Sequence, residues 1–270
     1  MSRKVLLGAG LLAFAWVSLT PPRAVAAGEA AKKPEPETLT VFAASSLQEA
    51  FRELGTAFEK QAGAAVRFSF AGSQELRAQL EQGAQADVFA SADRRHADAL
   101  LEEKLAIEPR SFAYNTLVIA VPKGNPERIK ELADLTRLKH LVIGAREVPV
   151  GLYSDRLFAM ADAKDPSAQL EKKLLARVAS RELNVRQVLA KVSLGEAEAG
   201  IVYATDARAM SSLVDAVSLP PDLEQRAEDV IAPLIHSSHP ALAATFIAFV
   251  FSREGQGVLA QHGFRPVNAP

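Results

Sequence analysis

Short apolar runs alternate with helix-period patterns from residue 39 to residue 264. Residues 39–43 form a run typical of a strand buried on both faces, and apolar residues then recur at helical spacing over residues 47–58. The alternation predicts an α/β fold with a parallel or mostly parallel sheet flanked by helices. Further strands are predicted over residues 65–70, 87–90, 112–121, 140–144, 200–203 and 230–235. Further helices are predicted over residues 74–82, 94–104, 151–161, 167–180, 185–195 and 241–261.

Three early strands end in small or hydroxyl residues, as Ala-Ser-Ser (44–46), Ala-Gly-Ser (71–73) and Ser-Ala-Asp (91–93). Open sheets of this class bind ligands at the carboxyl ends of their strands, and free N–H groups at helix starts favour anions. Ser46 also stands three residues before Glu49, which is the capping-box spacing. Taken alone, Ser46 is therefore interpreted first as a helix cap. The repetition of such strand ends favours an anion site.

The second half of the chain offers three more donors. The segment after Pro149 enters a helix, which frees the N–H of Val150. Asn184 caps another helix, which frees the N–H of Val185, and Tyr203 places a hydroxyl at a strand end. Plain helix starts and a core tyrosine remain the alternative interpretations.

The N-terminus is predicted to direct export. Arg3 and Lys4 precede the uncharged apolar residues 5–19, and the small residues 24–27 offer a cleavage site. Residues 1–27 are therefore predicted as a signal peptide and residues 28–38 as a flexible leader. The chain contains no cysteine, which excludes disulfides and cysteine-linked lipid and suits a bacterial periplasm.

Composition places the chain among ordinary globular proteins. Its 270 residues are 49% hydrophobic and 23% charged. The predicted signal peptide holds three of the 31 basic residues and none of the 32 acidic ones, so the mature chain has a net charge of −4. No long basic run appears, so nucleic acid is not an expected partner. An anion would be held by local donors.

Enzyme signatures are absent from the sequence. Neither a G-x-S-x-G elbow nor a Walker loop occurs. His236 and His239 supply at most half of a zinc site, and no cysteine or adjacent acid completes it. Asp87 and Asp93 are better explained as a strand-start residue and a helix cap. A protein that is not an enzyme, with no cofactor and no metal cation ligands, is expected.

The chain resembles the periplasmic molybdate-binding proteins of ABC transporters. The resemblance rests on motifs that occur in family order and cover nearly all of residues 39–264. They are VFAASSLQEAF (41–51), FAGSQEL (70–76), GAQADVFASAD (83–93), NTLVIAVPKG (115–124), VPVGLYSD (148–155) and GEAEAGIVYATDA (195–207).

The resemblance implies a two-lobed periplasmic-binding-protein fold of type II character, with the oxyanion in the cleft between the lobes. Lobe I would comprise residues 39–118 plus 232–270, and lobe II residues 119–231. The partners implied are molybdate or tungstate and an inner-membrane permease with its cytoplasmic ATPase, and a monomer is expected. The family's ligand positions fall on Ser46, Ser73, Val150, Val185 and Tyr203.

The implied ligand agrees with these donors. Molybdate and tungstate are dianions that only accept hydrogen bonds, whereas phosphate would need an acceptor for its proton. Two departures from the family pattern, Val150 and the segment 72–74, leave open a receptor for another tetrahedral oxyanion such as sulfate. An exported metal-dependent hydrolase using His236 and His239 is the weaker alternative.

Overall fold

A computed structural model describes residues 37–267 of the chain. The signal peptide predicted over residues 1–27, and most of the leader predicted over residues 28–38, lie outside these residues. Within residues 37–267, no helix combines the length and the apolar character needed to cross a bilayer.

The strands largely follow the predicted apolar runs. In chain order they are β1 (Thr38–Ala44), β2 (Ala65–Ala71), β3 (Val88–Ser91), β4 (Arg110–Pro122), β5 (Leu141–Gly144), β6 (Val178–Glu182), β7 (Ala199–Tyr203), β8 (Val214–Ser218), β9 (Arg226–Pro233) and β10 (Arg265–Pro266).

The helices follow most of the strands. In chain order they are α1 (Gln48–Ala62), α2 (Ser73–Glu81), α3 (Arg94–Glu102), α4 (Pro149–Lys164), α5 (Leu170–Leu175), α6 (Val185–Ser193), α7 (Ala204–Ala209), α8 (Pro240–Phe251) and α9 (Arg253–Gln261). The closing helices predicted over residues 241–261 are α8 and α9, and they meet at Ser252, whose side chain caps α9.

The sheet is mixed. Its strands lie in the order β2-β1-β3-β9-β4-β7-β5-β6, and β8 and β10 each pair with β4. The pairs β1–β2, β1–β3, β5–β6 and β5–β7 are parallel. The strands β4 and β9 run antiparallel to each other and to the neighbouring β7 and β3. The prediction of a mostly parallel sheet is therefore wrong, because two long strands cross between the parallel groups.

The two crossing strands divide the chain into two lobes. The first part of β4, as far as Thr116, pairs with β9, and from Leu117 onward β4 pairs with β7 and β8. We call β1–β3 with α1–α3, α8 and α9 lobe I, and β5–β8 with α4–α7 lobe II. The predicted two-lobed α/β fold is thus present. The predicted boundaries after residues 118 and 231 stay a prediction, and the pairing changes partners at Thr116 and Leu117.

One helix predicted from the sequence is wrong. Residues 167–180 form only the short α5, and their last residues belong to β6. Because β6 lies at the edge of the sheet, its residues are only partly buried. An edge strand of this kind lacks the apolar run that marks a covered strand. The strand β8 was not predicted either, and it is also only partly buried.

The start of α4 requires a glycine at position 151. A Cβ atom there would lie 1.9 Å from the carbonyl oxygen of Ala145 and 2.5 Å from that of Gly144. This close approach lets the first turn of α4 pack directly on the end of β5. The same turn carries the N–H of Val150.

We expect Gly151→Ala to lower the free energy of unfolding by about 1–3 kcal/mol, because rigid backbone atoms block the new methyl group. The matched control is Gly257→Ala in α9, where a Cβ atom meets nothing within 4 Å. That change should be neutral or raise stability by roughly 0.5–1 kcal/mol, since alanine favours helix. Denaturant unfolding measures both variants, and equal stabilities would contradict the packing argument.

Candidate functional site

The five predicted ligand positions lie around one cavity between the lobes. The residues that line this space include Ser46, Ser73, Val150, Val185 and Tyr203. Each of the five residues is buried. The rest of the lining consists of Ala44, Ser45, Ala71, Gly72, Ala92, Val148, Pro149 and Asn184.

The fold brings these residues together because each follows the carboxyl end of a strand. Ser46 and Ser73 come after β1 and β2 in lobe I. Val150 and Val185 come after β5 and β6 in lobe II, and Tyr203 is the last residue of β7. Parallel strands end at a common edge, so residues distant in sequence meet there.

Ser46 does not cap a helix. A 3-10 helix, Ser45–Leu47, follows β1, and α1 then begins at Gln48 with no side-chain cap bond. The capping-box interpretation of Ser46 and Glu49 is therefore wrong. The Oγ atom of Ser46 is buried and has no hydrogen-bond partner among the described residues. A buried hydroxyl without a partner is costly, so its position favours a bound ligand.

The hydroxyl of Ser73 already accepts one hydrogen bond within the protein. Its Oγ atom accepts a hydrogen bond of 3.1 Å from the N–H of Ala92. The hydroxyl proton is therefore left to be donated. Ser73 is also the first residue of α2, where backbone N–H groups lack helical partners. One residue thus offers a side-chain donor at a helix N-terminus.

Tyr203 contributes a second hydroxyl without a partner. Its Oη atom is buried and makes no hydrogen bond to any residue in the described part of the chain. Burial raises the pKa of Tyr203 well above its ordinary value, and the neighbouring Tyr153 and Asp229 add to the rise. The phenol therefore keeps its proton near neutral pH and acts as a donor.

The cavity wall carries no formal charge. None of the described residues that line it is acidic, basic or a histidine. Positive potential comes instead from the N-termini of α2, α4 and α6, at Ser73, Pro149 and Val185. Helix N-termini carry partial positive charge and free N–H groups, which suits an anion. The site is a set of neutral donors.

Contacts across the cleft hold the lobes together beside this cavity. The side chain of Gln74 donates from Nε2 to the carbonyl oxygen of Leu183 at 2.6 Å. His96 donates from Nε2 to the carbonyl oxygen of Glu147 at 2.9 Å. Burial lowers the pKa of His96, so the ring is neutral at pH 7. No sequence pattern indicates these contacts, because their partners are backbone atoms of distant segments.

Other residues singled out in the sequence have structural roles. Asn115, the first residue of the motif at residues 115–124, donates from Nδ2 to Thr205 Oγ1 at 2.8 Å. Asp93 caps α3, and Asp87 accepts from Thr40 N–H at 2.7 Å. No metal-type group of three His, Cys, Asp or Glu side chains occurs within residues 37–267. The Nδ1 atom of His239 instead lies 3.5 Å from Oδ1 of Asp87.

Two buried carboxyl groups lie behind the cavity wall. Burial raises the pKa of Asp206 to about 7, although the Arg186 guanidinium acts in the opposite direction. Burial also raises the pKa of Asp229 well above its ordinary value, and Asp206 adds to the rise. Protonation at these positions reduces the negative charge close to an anion site.

Comparison with known proteins places this geometry in a family. A family model described as bacterial extracellular solute-binding protein matches residues 39–265. The chain belongs to this family.

Its relatives include curated molybdate-binding proteins. The solute-binding protein is 40% identical to the molybdate-binding protein ModA of Mycobacterium tuberculosis over 230 residues, which is 84% of each chain. It is 30% identical to ModA of Escherichia coli over 236 residues, covering 84% of this chain and 88% of the relative. The resemblance inferred from the motifs is confirmed.

A solved structure has the same fold. The periplasmic molybdate-binding protein of Azotobacter vinelandii superposes with a TM-score of 0.70, at 20% identity, over 84% of this chain and 98% of that one. The likeness confirms the two-lobed periplasmic-binding-protein architecture.

We expect Asp206→Asn to gain stability relative to the unmodified protein as the pH rises from 5 to 8. Asp206 ionises near pH 3.8 when exposed and near pH 7 when folded. Between these values the folded state holds an extra proton, so the unmodified protein loses stability with rising pH, by at most about 1.4 kcal/mol per unit. Asparagine does not titrate.

Denaturant unfolding at pH 5, 6, 7 and 8 measures this difference. The gap, defined as the free energy of unfolding of Asp206→Asn minus that of the unmodified protein, should rise up to about pH 7 and then level off. A gap that stays constant over the whole range would contradict a raised pKa at Asp206.

Proposed function

We propose that this protein captures molybdate, and also tungstate, outside the cytoplasm and delivers it to an ABC transporter. The observation that supports this most is the donor-only cavity between the lobes, formed at the family's ligand positions. Relatives named as molybdate-binding proteins support the choice of ligand.

The proposed ligand contacts follow from the chemistry of the anion. Ser46, Ser73 and Tyr203 donate their hydroxyl protons, and Val150 and Val185 donate backbone N–H groups. A dianion without a protonated oxygen needs donors alone, and the cavity wall presents no carboxylate. Each charge-assisted bond contributes about 1.5–3 kcal/mol, which offsets part of the cost of burying the charge.

Selectivity against sulfate is proposed to come from size. Sulfate is also a tetrahedral dianion at neutral pH, so the donor set alone accepts either ion. Molybdate and tungstate are larger, and a fixed ring of donors reaches all four oxygens only for an ion of matching radius. Val150, with its branched side chain at the cavity wall, sets one side of that space.

The proposed setting is the periplasm. Residues 1–27 would be removed as a signal peptide, and the mature monomer would bind its ion and close. An inner-membrane permease with a cytoplasmic ATPase would then accept the ion. No reacting group is assigned, and we propose a binding protein that is not an enzyme.

Calorimetric titration with four oxyanions tests the proposal. Molybdate and tungstate should both bind, and sulfate and phosphate should bind more weakly or not at all. Competition between molybdate and excess sulfate measures the selectivity directly. Binding of sulfate or phosphate without any heat from molybdate or tungstate would refute the proposed ligand.

We expect Ser46→Ala and Tyr203→Phe each to weaken molybdate binding by about 10- to 100-fold, because each removes one charge-assisted donor. Matched controls remove hydroxyls that do not line the cavity. Tyr153 accepts from the N–H of Glu228 at 3.2 Å, and Ser193 donates to Ala190 at 2.9 Å. Tyr153→Phe and Ser193→Ala should therefore keep full affinity.

Thermal unfolding of the same variants separates binding from folding. Ser46→Ala should remain as stable as the unmodified protein, since its hydroxyl forms no bond within the described chain. A stability loss with unchanged affinity would show that Ser46 has a structural role.

A further inference from the structure

Arg186 connects the two lobes directly beside the cavity. It is the second residue of α6, next to Val185, which lines the cavity. Its side chain crosses the cleft to Glu49 in the first turn of α1. We propose that Arg186 is a positioning residue that fastens the lobes around the bound oxyanion by pairing with Glu49. This inference rests on the proposed function.

The geometry of the pair is specific. Nη1 of Arg186 donates to Oε1 of Glu49 at 3.0 Å, and Nη2 donates to Oε2. Two parallel bonds between a guanidinium and a carboxylate fix both distance and orientation. A small separation of the lobes therefore breaks both bonds at once.

Asp206 holds the arginine in place from its own lobe. The Nε atom of Arg186 lies 2.9 Å from Oδ1 of Asp206. The Asp206 side chain is fully buried in α7, whereas the Glu49 side chain is 37% exposed. The guanidinium is thus anchored in lobe II, and its bond to lobe I is the exchangeable one. An anchored side chain loses less conformational entropy when the lobes meet.

The pair also reduces the negative charge close to the ligand. Glu49 stands three residues after Ser46, so its carboxylate would repel a dianion in the cavity. Arg186 neutralises that carboxylate only when the lobes are together. We call the Arg186–Glu49 pair the clasp. It forms only when the lobes are together, and it then removes the repulsion between Glu49 and the anion, so its loss should speed release of the ion.

The test compares Glu49→Gln with Glu53→Gln, two substitutions one helical turn apart in α1. Glu49→Gln breaks the pair that crosses the cleft. The matched control, Glu53→Gln, removes the same charge from α1, but Glu53 pairs with His262 of lobe I at 2.7 Å. Both side chains are at least one-third exposed, so both variants should fold.

Release is measured by loading each protein with radiolabelled molybdate and chasing with unlabelled molybdate. We expect Glu49→Gln to release the ion about tenfold faster, with a nearly unchanged association rate, because the pair forms after the ion has entered. Glu53→Gln should release it at the rate of the unmodified protein.

Arg186→Lys supplies a second variant that keeps the charge beside Asp206. Lysine lacks the two-pronged geometry, so release should be faster than in the unmodified protein and slower than in Glu49→Gln. The melting temperatures of all variants should agree closely. A purely structural role for Arg186 predicts instead that the melting temperatures of the variants differ.

The outcomes separate this inference from the proposed function. Absence of molybdate binding by the unmodified protein would overturn both. Binding by the unmodified protein with equal release from Glu49→Gln and Glu53→Gln would overturn the clasp alone. Slower release from Glu49→Gln would also overturn it, because repulsion by Glu49 would then outweigh fastening.

Discussion

Burying a doubly charged anion without a cation is the constraint on which the arrangement of this protein depends. Such an ion is tolerated only when its oxygens receive hydrogen bonds from donors fixed in advance. The fold meets this requirement with helix N-termini at strand ends, each offering N–H groups that have no helical partner. The hydroxyls of Ser46, Ser73 and Tyr203 complete the set without any formal charge in the cavity wall.

The crossing strands explain why the site lies between two lobes. β4 pairs first with β9 of the lobe I sheet and then with β7 and β8 of lobe II. Each lobe therefore supplies its own strand ends, and neither lobe alone carries the full set of donors. Enclosure of the ion and contact between the lobes become one event. Contacts such as the hydrogen bond from Gln74 to the carbonyl oxygen of Leu183 then stabilise the closed state.

Charge is kept near the cavity but outside its wall. Asp206 and Asp229 are buried with raised pKa values, which limits the negative charge that the ion meets. Arg186 lies between Asp206 and Glu49 and contacts both. In the proposed function, neutral donors bind the ion, while the charged groups act on the lobes around it.

The sequence by itself determined the features that depend on neighbouring residues. The strand-to-helix junctions at Ser46, Ser73, Val150 and Val185 are local patterns, so the donors were predicted from them. The two-lobed fold was implied by the resemblance of the sequence motifs to a family. Only the tertiary structure decided which partners those residues meet. Glu49 has the spacing of a helix cap, yet it pairs with Arg186, which is 137 residues away. The edge strand β6 and the antiparallel direction of β4 and β9 were missed for the same physical reason, because pairing across a sheet is set by distant segments and leaves little trace in the local pattern.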